Sequence, residues 1–207
     1  MLAQKRLLAA LSTVFFLVFV WSVINPKERM TWFLESVPAL IGFVLLVLTY
    51  RRFPLTSLLY VLICIHAIIL MVGGHYTYAE VPLFDWIKEV FGFSRNHYDR
   101  LGHFAQGFVP AVLTREILIR TSPLKPGKWL VFLVVCVCLA VSATYELVEW
   151  SYAAGEGANA DSFLGSQGDI WDAQKDMLFA VIGSVCAILF LSRVHNKQLE
   201  KMGVVLQ

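Results

Sequence analysis

Pro54-Leu-Thr-Ser-Leu-Leu-Tyr-Val-Leu-Ile-Cys-Ile-His-Ala-Ile-Ile-Leu-Met-Val72 contains no Lys, Arg, Asp or Glu. About 20 helical residues cross the roughly 30 Å hydrocarbon layer, and in lipid a helix satisfies its own backbone hydrogen bonds. This stretch therefore reads as a membrane-spanning helix. Working outward, five more segments have the length and apolar character to do the same, at about 7–24, 32–50, 98–119, 129–150 and 172–192. The composition agrees: of 207 residues 58% are hydrophobic and 15% charged, where soluble domains carry about 25% charged residues. The expected fold is all-α, a polytopic bundle of six transmembrane helices forming one membrane domain over 1–207. A net charge of +2 leaves no basic surplus to track a nucleic acid, so none is expected as a partner.

Basic residues set the orientation. Lys5, Arg6, Arg51, Arg52, Arg120, Lys125, Lys128, Arg193, Lys197 and Lys201 fall on one side, against Lys27, Arg29, Lys88 and Arg95 on the other. The positive-inside rule makes the first side cytoplasmic, with both termini there. The run Leu7 to Ile24 is longer than the 7–15-residue core of a signal peptide, so a retained anchor helix is expected. Cys64, Cys136, Cys138 and Cys186 lie in apolar runs without C-x-x-C spacing, and read as lipid-buried thiols. Residues 82–91 place Leu83, Phe84, Ile87, Val90 and Phe91 at helical spacing, which predicts a short helix on the outer interface. Gly155, Gly157, Gly165 and Gly168 predict a turning loop over 151–171. Trp32, Trp86, Trp129, Trp150 and Trp171 fall at predicted interfaces, as an aromatic belt does.

The polar residues are layered. At 1.5 Å per residue from the cytoplasmic helix ends, Glu35, Asp99 and Asp176 lie at about 24 Å, Glu146 at about 26 Å and His66 at about 21 Å. Charged groups at such depth need a partner, water or a task. Asp99 and His103 are i,i+4 with Gln106 a turn on, Glu146 and Glu149 are i,i+3, and Asp169, Asp172 and Asp176 follow i, i+3, i+7, so each set shares a helix face. Carboxylates joined by an imidazole suit one or two divalent cations, and helical bundles build metal sites in this way. The candidate metal ligands are Asp99, His103, Glu146, Glu149, Asp172 and Asp176, the ion's identity being open. Asp172 and Asp176 also fit as partners of a helix N-terminal dipole. Glu146 and Glu149 stand at a helix C-terminus, where the dipole disfavours anions, and two carboxylates one turn apart call for a cation or a shared proton. Arg115, Glu116 and Arg120 at the cytoplasmic end are explained by snorkelling and an i,i+4 pair. His75, Tyr76 and Tyr78 fit either as headgroup anchors or as the mouth of the site.

Gly-Gly-His-Tyr-Thr-Tyr at 73–78, Arg-Asn-His-Tyr-Asp-Arg-Leu-Gly-His-Phe at 95–104, Tyr-Glu-Leu-Val-Glu-Trp at 145–150 and Gly-Ser-Gln-Gly-Asp-Ile-Trp-Asp-Ala-Gln-Lys-Asp-Met at 165–177 resemble the YjdF family of bacterial inner-membrane proteins over nearly the whole chain. The resemblance implies an inner-membrane location and brings no reaction with it. Asp99-Arg100-x-x-His103-Phe104 is also similar to the D-K-x-x-H-F signature of VanZ-like membrane proteins, with Arg in place of Lys, which implies a cell-envelope role.

Three functions compete. In the first, a metal on these ligands activates water at the outer leaflet to cleave or transfer a lipid or lipid-linked ester or phosphoester, with Glu146 or Glu149 as general base and Arg100 holding an anionic headgroup. In the second, the carboxylates relay protons or cations in a small transporter, although no paired broken helices or inverted repeat is evident. In the third, the protein is a non-catalytic membrane partner or envelope-stress protein, and its polar layer only fixes helix packing.

Overall fold

The computed structural model describes residues 2–156 and 166–206. Its helices are α1 (Leu2–Val23), α2 (Arg29–Thr49), α3 (Ser57–Tyr76), α4 (Pro82–Phe91), α5 (Tyr98–Thr121), α6 (Lys128–Glu156) and α7 (Asp172–Lys201), with a 3-10 turn at Tyr78–Glu80. No strand occurs among the described residues. Among the described residues, five helices are long and apolar enough to cross a membrane: Gln4–Val23, Arg29–Thr49, Ser57–Tyr76, Lys128–Gly155 and Asp172–Lys201. The segment expected at 98–119 is a helix of 24 residues, but its polar residues keep it out of that group. The physical reason is its position. α5 packs against α3, α6 and α7, so protein rather than lipid surrounds much of it, and Asp99, Arg100, His103, Arg115 and Glu116 are all buried.

Close backbone contact makes α5 and α7 the axis of the bundle. A Cβ added at Gly107 would lie 1.8 Å from the Ala180 carbonyl oxygen, and one at Gly183 would lie 2.1 Å from that of Phe104. Small residues at these turns let the two backbones touch, which is how helices gain packing energy where lipid removes the hydrophobic drive. Ala111, Val112, Val134, Cys138 and Ala187 continue the core inward to Leu59 and Leu199. A second core of Phe15, Ala39, Ala67 and Met71 joins α1, α2 and α3. Phe16, Leu17, Leu48, Phe132, Leu147, Leu189 and Phe190 point outward.

Several helices run past the limits read from the sequence. α3 continues through Gly73 and Gly74 to Tyr76; the Tyr78 ring packs where a Gly73 Cβ would stand, 2.3 Å from it. α6 continues to Glu156, so residues 151–156 are helical and Glu146 and Glu149 lie inside the helix rather than at the C-terminus expected from the sequence; Gly157 and Gly165 lie outside the described residues. α7 extends through the expected tail to Lys201 because His195 and Leu199 are buried against the bundle. α4 starts at Pro82 and stops at Gly92, whose φ of +66° takes the left-handed turn that ends a helix with least cost at glycine. Glu28 opens α2 by accepting hydrogen bonds from the Met30 N–H at 3.0 Å and from the Thr31 N–H.

Trp86, Trp129, Trp150 and Trp171 are exposed, while Trp32 donates to Ser22 Oγ at 3.1 Å. The four cysteines are free thiols; Cys64 and Cys138 are buried and Cys136 is exposed.

Candidate functional site

The outer end of α5 is fastened before its helix begins. The Asn96 N–H donates to Gln167 Oε1 and Gln167 Nε2 donates to the Asn96 carbonyl, both at 2.9 Å. Asn96 Nδ2 also donates to the Val81 carbonyl and to Asp85 Oδ1 at 3.1 Å. This pairing ties the 166–169 turn and α4 to the start of α5, and so sets α7 beside α5 in register.

Two guanidinium groups hold the acidic start of α7. Asp172 Oδ1 accepts from Arg95 and from Arg100 at 2.5 Å each. Arg100 also pairs with Asp176 and, at 3.3 Å, with Asp169. Arg95 reaches Asp99 Oδ2 at 3.4 Å and Asp169 at 3.6 Å. Lys175 bonds Asp169 at 2.6 Å, and this contact, followed by the Trp171 N–H, holds the Asp169 carboxyl below the usual aspartate range. Asp172 is therefore occupied by two arginines rather than standing with the other candidate ligands. Arg100 is 5% exposed, and its guanidinium faces the carboxylates at the start of α7.

Beneath this lattice, three helices meet at one nitrogen. His103 Nε2 lies 3.5 Å from Asp99 Oδ1 on α5, 3.6 Å from Glu146 Oε1 on α6 and 3.8 Å from Asp176 Oδ1 on α7. Ligand atoms of Asp99, His103 and Asp176 all fall within 4.8 Å of one another. On the other ring nitrogen, His103 Nδ1 donates to Gln106 Oε1 at 3.1 Å, so the imidazole is oriented with Nε2 toward the acids. The gaps around Nε2 exceed the usual N–H···O range of 2.7–3.2 Å. They match the edges of a coordination sphere: ligands about 2.1 Å from a common ion in tetrahedral array stand about 3.4 Å apart. Glu146 Oε1 is buried without a hydrogen-bond partner, which ordinarily costs about 1–3 kcal/mol, and more for a charged group.

A cavity of about 20 Å³ adjoins this point, lined by Glu35, Leu70, Tyr78, Asp99, Gly102, His103, Gln106, Tyr145 and Glu149. That is room for about one water-sized body. Glu149 thus faces the same space as His103 from one turn outside Glu146. Tyr145 donates to Glu35 Oε2 at 2.7 Å. Tyr78 is buried at the wall, and burial, then the Glu35 charge, pushes its phenol well above the usual value, so it stays a donor. His75 is elsewhere, with Nδ1 at 3.0 Å from the Ser22 carbonyl and its ring beside Trp21.

Among the described residues, seven carboxylates (Glu35, Asp99, Glu146, Glu149, Asp169, Asp172 and Asp176) gather here against Arg95, Arg100, Lys175 and the imidazole of His103. Bound cations or protons must make up the deficit. Sequence reasoning placed Glu35 at the right depth but left it, Tyr145, Gln106 and Arg95 out of the site. The readable signal was the shared depth of Glu35; nothing in the spacing tells which way Arg95 turns.

The C-terminal end of α5, expected from the sequence to face the cytoplasm, carries a different cluster. Glu116, fully buried, accepts from the Thr56 N–H at 3.1 Å, Thr56 Oγ1 at 2.8 Å, Arg120 at 2.8 Å and His195 Nε2 at 3.0 Å. Arg115 approaches His195 Nδ1 at 2.9 Å. A guanidinium can only donate, so Nδ1 accepts and His195 is the neutral Nε2–H tautomer. The i,i+4 pair expected from the sequence is present, but Arg115 turns into the protein rather than snorkelling out, because His195 and Asn196 of the extended α7 receive it.

The chain belongs to the family described as "Predicted membrane protein (DUF2238)", whose model matches residues 7–197. It is 50% identical over 189 residues to "Inner membrane protein YjdF" of Escherichia coli (strain K12), covering 91% of this chain and 90% of that one. No solved structure matches. These comparisons add nothing to the likeness of residues 99–104 to VanZ-like proteins.

Proposed function

We propose that the outer cluster is a divalent-metal site and that the protein is a metal-dependent hydrolase or transferase working at the outer leaflet of the bacterial inner membrane on a lipid or lipid-linked ester or phosphoester. α5 is the sixth crossing in this reading, and both termini are cytoplasmic. The observation that carries it is the meeting of His103 Nε2 with carboxylate oxygens from three helices at 3.5–3.8 Å, the imidazole being oriented by Gln106. Asp99, His103 and Asp176 are the ligands, with Glu146 beside them. Arg95 and Arg100 keep Asp99 and Asp176 in place through their second contacts. A divalent ion held there would supply Lewis acidity to a water and to the scissile carbonyl or phosphoryl oxygen. Glu146 Oε1, without a hydrogen-bond partner, is placed to take a proton at this point, and Glu149 across the cavity is its neighbour in that role.

The relay reading has less support. Between the outer cluster and Glu116, α5 runs Gly107-Phe-Val-Pro-Ala-Val-Leu113, so this helix contributes no ionisable side chain between its two polar ends. That favours chemistry served from one side of the membrane.

Elemental analysis of the purified full chain tests the reading. About one transition-metal or magnesium ion per chain is expected, lost in His103→Ala and Asp176→Asn and retained in Asp85→Asn. Metal-free wild-type protein that also fails to take up Zn²⁺, Mn²⁺ or Mg²⁺ overturns it. Hydrolysis or transfer on phospholipid and lipid-linked phosphate substrates should then follow metal content, and Glu146→Gln should lose turnover while keeping most of the metal.

A further inference from the structure

A second cavity, separate from the polar one, opens between α2, α3 and α5. It has about 480 Å³ and is lined by Pro38, Gly42, His66, Leu70, Leu113 and Ile117 among other, mostly apolar, side chains. On α2 it runs from Pro38 to Thr49 and on α5 from Val109 to Thr121, a length of about 17 Å at 1.5 Å per residue. That length and the mostly apolar lining suit one hydrocarbon chain laid along the helices. Leu45 and Ile117 on its rim are exposed, which opens the groove toward the bilayer.

Two further features point to a lipid rather than to a simple packing gap. Leu70 lines both this groove and the cavity beside His103, so the outer end of the groove abuts the polar site. From there the groove descends toward the cytoplasmic side, as the tail of an outer-leaflet lipid does. One turn inward of Leu70, His66 lines the groove with its Nε2 buried and without a hydrogen-bond partner. A buried imidazole nitrogen of this kind needs a polar partner, and an ester oxygen at the top of an acyl chain is one that the groove can deliver.

We infer that the α2/α3/α5 groove holds one acyl chain of a glycerophospholipid, with His66 Nε2 meeting the ester end beside Leu70, the residue that the groove shares with the cavity of the Asp99–His103–Asp176 cluster. The inference deepens the reading of that cluster by naming its substrate class. Lipid occupancy and metal content are therefore read separately.

The test uses the full chain in nanodiscs containing a phosphatidylethanolamine with a photoreactive group midway along one acyl chain. Label should concentrate on peptides containing residues 42–49 and 109–117. Gly42→Trp should lose it, since a Cβ at Gly42 meets nothing within 4 Å and the larger ring fills the groove instead of clashing with the fold. Thermal melting and metal content of that variant should match wild type. His66→Phe should keep the label but lose any preference for diacyl over diether lipid. Three outcomes overturn the inference: labelling no denser in the groove than on outward residues such as Leu48 and Phe190, labelling unchanged by Gly42→Trp, or capture of a photoreactive polyprenyl phosphate in preference to the phospholipid. Groove labelling in a protein that binds no metal would uphold the groove and overturn the metal reading alone.

Discussion

Gly107→Ala tests whether the contact of α5 with α7 builds the outer cluster. The added Cβ would stand 1.8 Å from the Ala180 carbonyl oxygen, whereas ordinary contact begins at 3.4 Å, so the two backbones must part by about 1.6 Å. The neighbour is backbone and cannot rotate away. Overpacking of this kind costs about 1–3 kcal/mol, and the upper end applies because a whole helix must shift. His103 lies one turn before Gly107 and Asp176 one turn before Ala180, so the same displacement carries the 3.8 Å gap between them to about 5 Å, wider than one ion can bridge at 2.1 Å per ligand. Gly183→Ala, 2.1 Å from the Phe104 oxygen, should act alike and slightly less. Gly42→Ala, with open space around its Cβ, is the control. Thermal melting in detergent, crosslinking between cysteines placed at 103 and 176, and metal content are the readouts. Gly107→Ala protein that melts, crosslinks and binds metal like wild type would refute the argument, since α7 would then not depend on that contact for its position.

Three further predictions follow from the same geometry. On the proposed orientation, with the basic residues on the cytoplasmic side, a C-terminal alkaline phosphatase fusion should be inactive and a fluorescent-protein fusion bright; the reverse pattern would invert the topology. Glu116→Gln should destabilise the fold by about 3 kcal/mol or more, as loss of one partner from a buried ionic network does, and melting curves will show it without loss of metal from the outer end. Asp169 is held below the ordinary carboxylate range by Lys175 and the Trp171 N–H. A lowered folded-state value means that its contribution is present above the unfolded value and lost on falling through the folded one, so the 166–172 turn should persist on acidification to the ordinary aspartate value of about 3.9 and loosen only below it. Fluorescence of Trp171, with the other tryptophans replaced, reports the turn, and loosening near pH 5 would contradict the contact.

Helix positions were legible in the sequence because apolar length is a local property: the run from Pro54 to Val72 requires no knowledge of its neighbours. Helix ends were less so. The tail after Arg193 looks like a charged cytoplasmic extension until His195 and Leu199 are seen buried against α5 and the 53–58 turn, and only tertiary contact puts them there. α5 passes the length test for a crossing yet fails the hydropathy one, because hydropathy scores contact with lipid and much of this helix contacts protein. At the site, Asp99, His103 and Asp176 were picked out by i,i+4 spacing and common depth, and they do converge. The depth argument could not separate Asp172 from Asp176, since one helical turn decides that the first meets two arginines and the second also faces His103.

The two ends of α5 show how a structural polar cluster differs from one with chemistry left to do. Both are buried, both use carboxylate, imidazole and guanidinium groups, and both join α5 to α7. At the inner end the account closes: one carboxylate, Glu116, receives four donors, and the tautomer of His195 is fixed on both nitrogens by Arg115 and Glu116. Such a cluster locks helices and has no bonding capacity for a ligand. At the outer end the account stays open. Among the described residues, seven carboxylates meet two arginines, one lysine and one imidazole, His103 Nε2 faces three acid oxygens beyond hydrogen-bond range, and Glu146 Oε1 has no hydrogen-bond partner. Folding alone would select against that arrangement, because each unmatched buried charge lowers stability. The arrangement is explained if the missing positive charge arrives as a bound ion, or as protons shared among the carboxylates.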